Sequence, residues 1–402
     1  MAPVKSDRIE GESESSVAAI SRCRDAEGLL AMRSKEGTEG AIRVYAEAIK
    51  LDPMYPPAYA GLSRAHCEAM IRFGHPRTLV NDAVALAQKS VELDPTFAGG
   101  YNALSSAYFA KGDLRGSLAP LQKACELDPK NVDALSRIGF LHLDLGELDA
   151  AMRWSHRALD AGPTSTFALA YVQRNIARLH TMFGEYAVAQ DWLNKCLTVE
   201  PDFPSARVLR VYLCHLRGEA ERAWEEARRM LERRPEDPET LNFVADAALL
   251  RGDHSQARSL FEHAIELGPD SRNFYRARRA KTGLGFVLWK RGDRVSATKL
   301  FEERIAVRTN EHANGLNAWG PPYELAAICA VRGHSEDALR WLQHAAEVGW
   351  REPLLARIDP LLENLQGSAG LEKILAEVGE VIRIMKVRAE GANWNSSEPY
   401  RA

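Results

Sequence analysis

The 402-residue chain has no run of about 18 apolar residues, which argues against a membrane-spanning helix. Its opening, MAPVKSDRIEGESESS, holds no apolar stretch of the signal-peptide kind, so a cytoplasmic location is expected. Cysteine is scarce and dispersed: the 6 residues Cys23, Cys67, Cys125, Cys196, Cys214 and Cys329 include no Cys-x-x-Cys pair. That spacing predicts reduced packing thiols rather than a disulfide frame or a zinc site. No Walker A loop, His-Glu-x-x-His or Gly-x-Ser-x-Gly occurs, and His142, His180, His215 and His334 lie far apart in the chain. The expectation is a protein that is not an enzyme and has no cofactor or metal. Strong charge of either sign is missing too, the net being −3, so no global field draws the chain to nucleic acid or anionic lipid. The basic run Arg272, Arg276, Arg278, Arg279 and Lys281 has no counterpart elsewhere, and no nucleic-acid partner is expected. Asn395-Ser-Ser matches a glycosylation sequon but follows no secretion signal.

What the chain does contain is repetition. Seven helix endings, AIKLDP, SVELDP, ACELDP, ALDAGP, CLTVEP, MLERRP and AIELGP, close at Pro53, Pro95, Pro129, Pro163, Pro201, Pro235 and Pro269. The proline spacings are 42, 34, 34, 38, 34 and 34 residues. A recurring 34-residue period is that of a stacked helix–turn–helix unit. Within 98–131, Tyr101, Leu104, Ala107 and Tyr108 recur at steps of three and four and mark one helix face. Lys-Gly-Asp-Leu-Arg-Gly interrupts that helix, with Gly112 suited to a tight turn. A second helix carries Leu118, Leu121 and Ala124-Cys125 to pack back on the first, and Pro129 stops it.

These segments resemble tetratricopeptide repeats. The turn glycine, small crossing residues and closing proline of that pattern read Gly146-Ala151-Ser155-Ala158-Pro163 in one copy. In another they read Gly252-Ala257-Phe261-Ala264-Pro269. The resemblance implies an all-α, right-handed superhelical solenoid of about nine repeats with a C-terminal helical cap. The register divides 22–352 into 22–55, 56–97, 98–131, 132–165, 166–203, 204–237, 238–271, 272–311 and 312–352. Thr309 and Trp350 stand where the last two units would carry proline. Residues 1–21 are polar and expected to be mostly disordered, and 391–402 to be a flexible tail. Residues 353–390 resemble the closing segment of bacterial arrays found with nucleotide-cyclase or winged-helix regulator domains. Two short apolar helices there, with Trp350, Leu354, Leu355, Leu361, Leu362 and Leu365, are expected to cover the end of the stack.

In such solenoids the first helix of each unit lines a concave groove, where partners bind. The register points two stripes inward: Tyr171, Arg174, Arg178 and Met182 in the fifth unit, and Tyr275, Arg279, Thr282, Phe286 and Trp289 in the eighth. Arg137 and Phe140, Tyr212, and Asn242 lie between them, with Asn102 and Asn175 as further candidates for holding a peptide backbone. Arginine beside aromatic rings suits carboxylates and apolar anchors. The Lys/Asn/Arg set that clamps chaperone tails in this family is not assembled here. The first reading is thus a non-enzymatic scaffold binding a peptide or partner protein, with carboxylate groups, in its groove. Self-association is a second partner expectation. The alternative function is the sensor arm of a bacterial signalling or transcription system whose output domain lies on another chain.

Overall fold

The structure is a computed structural model, which describes residues 14–32, 34–73, 75–76, 78–268, 280–313 and 316–391. Among them every regular element is a helix, and none is long and apolar enough to cross a membrane. The chain divides into two compact units, Met1–Lys111 with Ala119–Asp128, and Gly112–Leu118 with Pro129–Ala402.

The first unit holds α1 (Glu14–Ala31), α2 (Lys35–Leu51), α3 (Pro56–Phe73), α4 (Leu79–Leu93), α5 (Ala98–Lys111) and most of α6 (Leu118–Leu127). Consecutive helices pack in pairs, α1 with α2 and α3 with α4. α1 starts at Glu14, inside the 1–21 segment expected to be irregular. It is held by Ala19, Cys23 and Ala26, buried at steps of four and three against α2 and α3. Residues 1–13 lie outside the described residues.

The second unit continues the pairing: α7 (Val132–Asp144) with α8 (Leu148–Asp160), α9 (Thr166–Met182) with α10 (Tyr186–Val199), and α11 (Pro204–Leu216) with α12 (Ala220–Arg233). Then come α13 (Pro238–Leu250) with α14 (His254–Leu267), α15 (Ala280–Lys290) with α16 (Arg294–Ala313), and α17 (Gly320–Val331) with α18 (Ser335–Glu347). The chain closes with α19 (Pro353–Ile358), a 3₁₀ turn (Pro360–Leu365) and α20 (Ala369–Glu390). The boundary expected at 311/312 falls inside α16, which runs on for 20 residues because no proline stops it at Thr309. The cap differs as well. Its last helix is not short but 22 residues long, with Leu371, Ile374, Leu375, Val378, Ile382, Met385 and Ala389 buried along one stripe.

Glycine makes the turn between paired helices. Gly146 sits at φ 74°, where its N–H bonds to the Leu143 carbonyl and the Glu147 N–H to that of His142. This is the helix ending that a left-handed residue permits. Paired and successive helices approach through small residues. A Cβ on Gly139 of α7 would meet Ser155 Oγ of α8 at 2.9 Å. On Gly283 of α15 it would lie 2.2 Å from the Phe261 ring of α14, which fills the space between units.

The second unit also folds back on itself, because α20 packs on both α18 and α8. Met385 Sδ lies 3.3 Å from the Leu148 N–H, Lys386 Nζ 2.8 Å from Glu185, and Arg388 4.0 Å from Asp149. The last helix and the segment after α18 thereby meet the turns of the fourth and fifth pairs. Gly146 and Gly349 are in backbone contact there, a Cβ on Gly146 falling 2.5 Å from the Gly349 carbonyl oxygen.

This contact separates two otherwise equivalent glycines. Gly252 sits at φ 83° with open space around its Cβ position. Gly252→Ala is expected to cost only the left-handed penalty, about 1 kcal/mol. Gly146→Ala adds a backbone clash and is expected to cost about 2 kcal/mol more. Urea melts of the two variants check this, and equal losses would contradict the closure.

Candidate interaction site

The residues expected to form a partner site are placed unequally. Tyr275 and Arg279 lie outside the described residues. Phe140 of α7 and Tyr171 and Arg174 of α9 come together, with Phe140 and Tyr171 ring centroids 6.0 Å apart. The Arg174 guanidinium carbon sits 4.9 Å from the Tyr171 ring centre and 5.7 Å from that of Phe140. Phe167 extends the aromatic row, 6.3 Å from Tyr171 and 5.4 Å from Phe203. α9 positions these groups because steps of three and four place Tyr171, Arg174 and Arg178 on one face. Ser165 caps its start by accepting from the Ala168 N–H.

Arg174 is 8% exposed, and among the described residues its Nε–H has no hydrogen-bond partner. Burial draws its pKa below the ordinary arginine value. Two aromatic faces recover part of the lost hydration by cation–π attraction, about 2 kcal/mol when desolvated. They supply no negative charge.

Arg178, one turn further, is differently engaged. It donates to Asp144 Oδ1 at 3.1 Å and reaches Glu352 at 3.5 Å. Asp144 is fully buried, and among the described residues its Oδ2 has no hydrogen-bond partner. Burial pushes the Asp144 carboxyl up to about 7, against the pull of Arg178 and Arg174. Burial also opposes the charge of Arg178, but Asp144 and Glu352 together raise its pKa.

The remaining candidates are not part of this cluster. Phe286 is 1% exposed and packs its ring edge-on to His254, 5.8 Å away. Trp289 lies 6.0 Å from Phe301 and under the Arg294 guanidinium at 3.8 Å, within its own helix pair. Tyr212 lines an apolar recess with Val208, Met230, Phe243 and Leu250. Asn242 is buried on α13, and Arg137 is half-buried on α7.

Asp144 and Glu352 escaped the sequence reading. Asp144 carried a signal, since it precedes Arg178 by 34 residues, one repeat, and residues one repeat apart stack as neighbours. Glu352, 174 residues from Arg178, carried none. A second buried polar cluster was also missed. Arg304 and Arg308 both donate to the fully buried Glu324, as does Thr282. Burial alone would raise the Glu324 carboxyl, yet the two arginines hold it well below the usual carboxylate range. Glu311, 2.7 Å from Arg308, balances the second arginine, so that cluster is charge-matched, whereas Arg174 is not. Among the described residues no group of three His, Cys, Asp or Glu side chains is placed to hold a metal ion.

Family models for the TPR repeat match residues 105–146, and those for the tetratricopeptide repeat match 217–272 and 323–344. The chain carries tetratricopeptide repeats. No curated protein matches its sequence. The human IFIT1 dimer with m7Gppp-AAAA is 14% identical with a TM-score of 0.54, over 81% of this chain and 71% of that one, and shares the fold. A tetratricopeptide repeat protein from Parabacteroides merdae is 16% identical, with a TM-score of 0.48 over 69% of this chain and 100% of its own. A thermophilic TPR protein of Thermus thermophilus is 25% identical, with a TM-score of 0.40 over 49% and 98%. Tetratricopeptide repeats are in general non-enzymatic and mediate contacts between proteins, which makes this chain an interaction scaffold in that general sense.

The raised Asp144 carboxyl has a consequence for stability. Its native pKa of about 7 exceeds the ordinary aspartate value of about 3.9, so the folded state binds that proton more tightly than the unfolded chain. The resulting stability is fully present below about pH 4 and is lost as pH rises through about 7. Asp144→Asn removes this dependence. Between pH 4 and pH 8 the unfolding free energy of the variant, relative to the parent, is expected to rise by on the order of a few kcal/mol. A difference that stays constant with pH in urea melts would contradict the assignment.

Proposed function

We propose that the face formed by Phe140, Tyr171 and Arg174 binds a peptide segment or partner protein through a carboxylate, with an apolar side chain laid on the aromatic row. One observation carries the reading: Arg174 is a nine-tenths-buried cation, seated on two rings, with no acid in ion-pair contact among the described residues, Asp144 acting on it only at longer range. Buried charges are ordinarily paired or displaced by apolar groups, since an isolated ion loses its hydration without compensation. A carboxylate arriving on a partner completes the pair, and the planar guanidinium accepts it in a two-point contact. The aromatic row supplies rigid contact area of the kind that dominates interface energies. The alternative of a sensor arm with its output domain on another chain rests on the C-terminal resemblance alone, and nothing in this cluster favours it.

Arg174→Met tests the proposal. Acid-bearing peptides on an array are expected to lose about tenfold to a hundredfold in affinity, the scale of a hydrogen bond to a charged group. The same variant is expected to melt no lower than the parent, because an unpaired buried charge has been removed. Retained peptide affinity together with a fallen melting temperature would mark Arg174 as a packing residue and overturn the proposal.

A further inference from the structure

The site just described is bounded by the closure of the second unit. Arg178 lies four residues from Arg174 on the same face of α9, about 6 Å along the helix surface. Where Arg174 has no acid in ion-pair contact among the described residues, Arg178 has two, Asp144 from the neighbouring repeat and Glu352 from the end of the ninth. Glu352 belongs to the segment that joins α18 to the cap, and the Gly349 beside it is pressed against Leu145 and Gly146.

We propose that this C-terminal segment is an autoinhibitory clasp: Glu352 holds on Arg178 the place that a partner's carboxylate takes, so partner binding and closure exclude one another. The inference rests on the carboxylate reading of Arg174. A segment with two acidic groups spanning one helical turn engages both arginines only after Glu352 withdraws. Withdrawal can begin at the rim of the closure, where the contacts are polar. Lys386 with Glu185 and Arg388 with Asp149 are partly exposed ion pairs, worth little and weakened by salt. Beneath them lies the apolar stripe of α20 from Leu371 to Ala389, in which Met385, 7% exposed, meets Leu148. The closed state thus withholds one of two cations, and apparent affinity falls by the fraction of molecules that are open.

The test uses the full chain and fluorescein-labelled hexaglutamate, followed by anisotropy, with hydrogen exchange of residues 369–390 read in parallel. Met385→Ala loosens α20 without changing any charge, and Glu352→Gln removes the competing acid. Each is expected to bind about five- to tenfold more tightly than the parent. Saturating peptide is expected to speed amide exchange in α20 of the parent. If parent and variants bind equally and α20 exchange is unmoved, the clasp is overturned and the carboxylate site stands. Tighter binding by Glu352→Gln alone, with Met385→Ala like the parent, marks simple charge relief and also overturns it. If none of them binds, the carboxylate reading fails and the clasp with it. Circular dichroism confirms that both variants fold, and should Met385→Ala not, the exchange response of the parent decides.

Discussion

The close approach of helices at small side chains is the constraint on which the rest of the second unit depends. Gly139 lets α7 lie on the Ser155 region of α8, and Gly283 and Gly285 leave room for the rings of Phe261 and Phe301. Because interiors are packed at crystal-like density, the same small residue at each crossing reproduces a similar geometry. Side chains one period apart therefore become neighbours, as Asp144 and Arg178 do across 34 residues. Repetition in the chain becomes adjacency in space, and adjacency lets isolated polar residues assemble into clusters.

Two buried polar clusters among the described residues of the unit show what such adjacency can and cannot satisfy. Around Glu324 a single carboxylate meets two arginines and a threonine, and the pairing is strong enough to keep the acid ionised despite full burial. On the seventh and ninth helices the match is uneven. Among the described residues Arg178 has two acids in contact and Arg174 none, while Asp144 leaves one oxygen without a partner. Breaking or omitting one member of a buried pair is among the most destabilising arrangements in a protein core. Such an arrangement on an arginine seated on two aromatic rings sets that place apart from ordinary packing.

Much of the scaffold was legible in the chain, because it rests on local rules. Proline stops and left-handed glycines depend on a few consecutive residues, so the starts of α5, α7, α11 and α13 stand where the spacing puts them. Where local signals weaken, the reading erred. α1 buries only alanine and cysteine, which carry little hydrophobic contrast, and its first turns were read as irregular. α16 has no proline at Thr309 and outruns its expected end. At the candidate site, Tyr171 and Arg174 were visible as a stripe and Phe140 as its neighbour. The same logic also selected Phe286 and Trp289, whose rings are taken up by packing, since a stripe cannot tell a groove from an interface between helices. Glu352 was out of reach altogether, because its place depends on the closure of the whole unit.

The central claim is that Arg174 is a cation poised for an acid brought by a partner, none being in ion-pair contact with it among the described residues. It is tested most directly by following the Arg174 Nε–H resonance by nuclear magnetic resonance during titration with an acidic peptide. Its unpartnered state predicts a resonance that moves on binding and then exchanges more slowly with water, as a charge-assisted hydrogen bond forms. A peptide that binds tightly while the Arg174 resonance stays where it was would contradict the account.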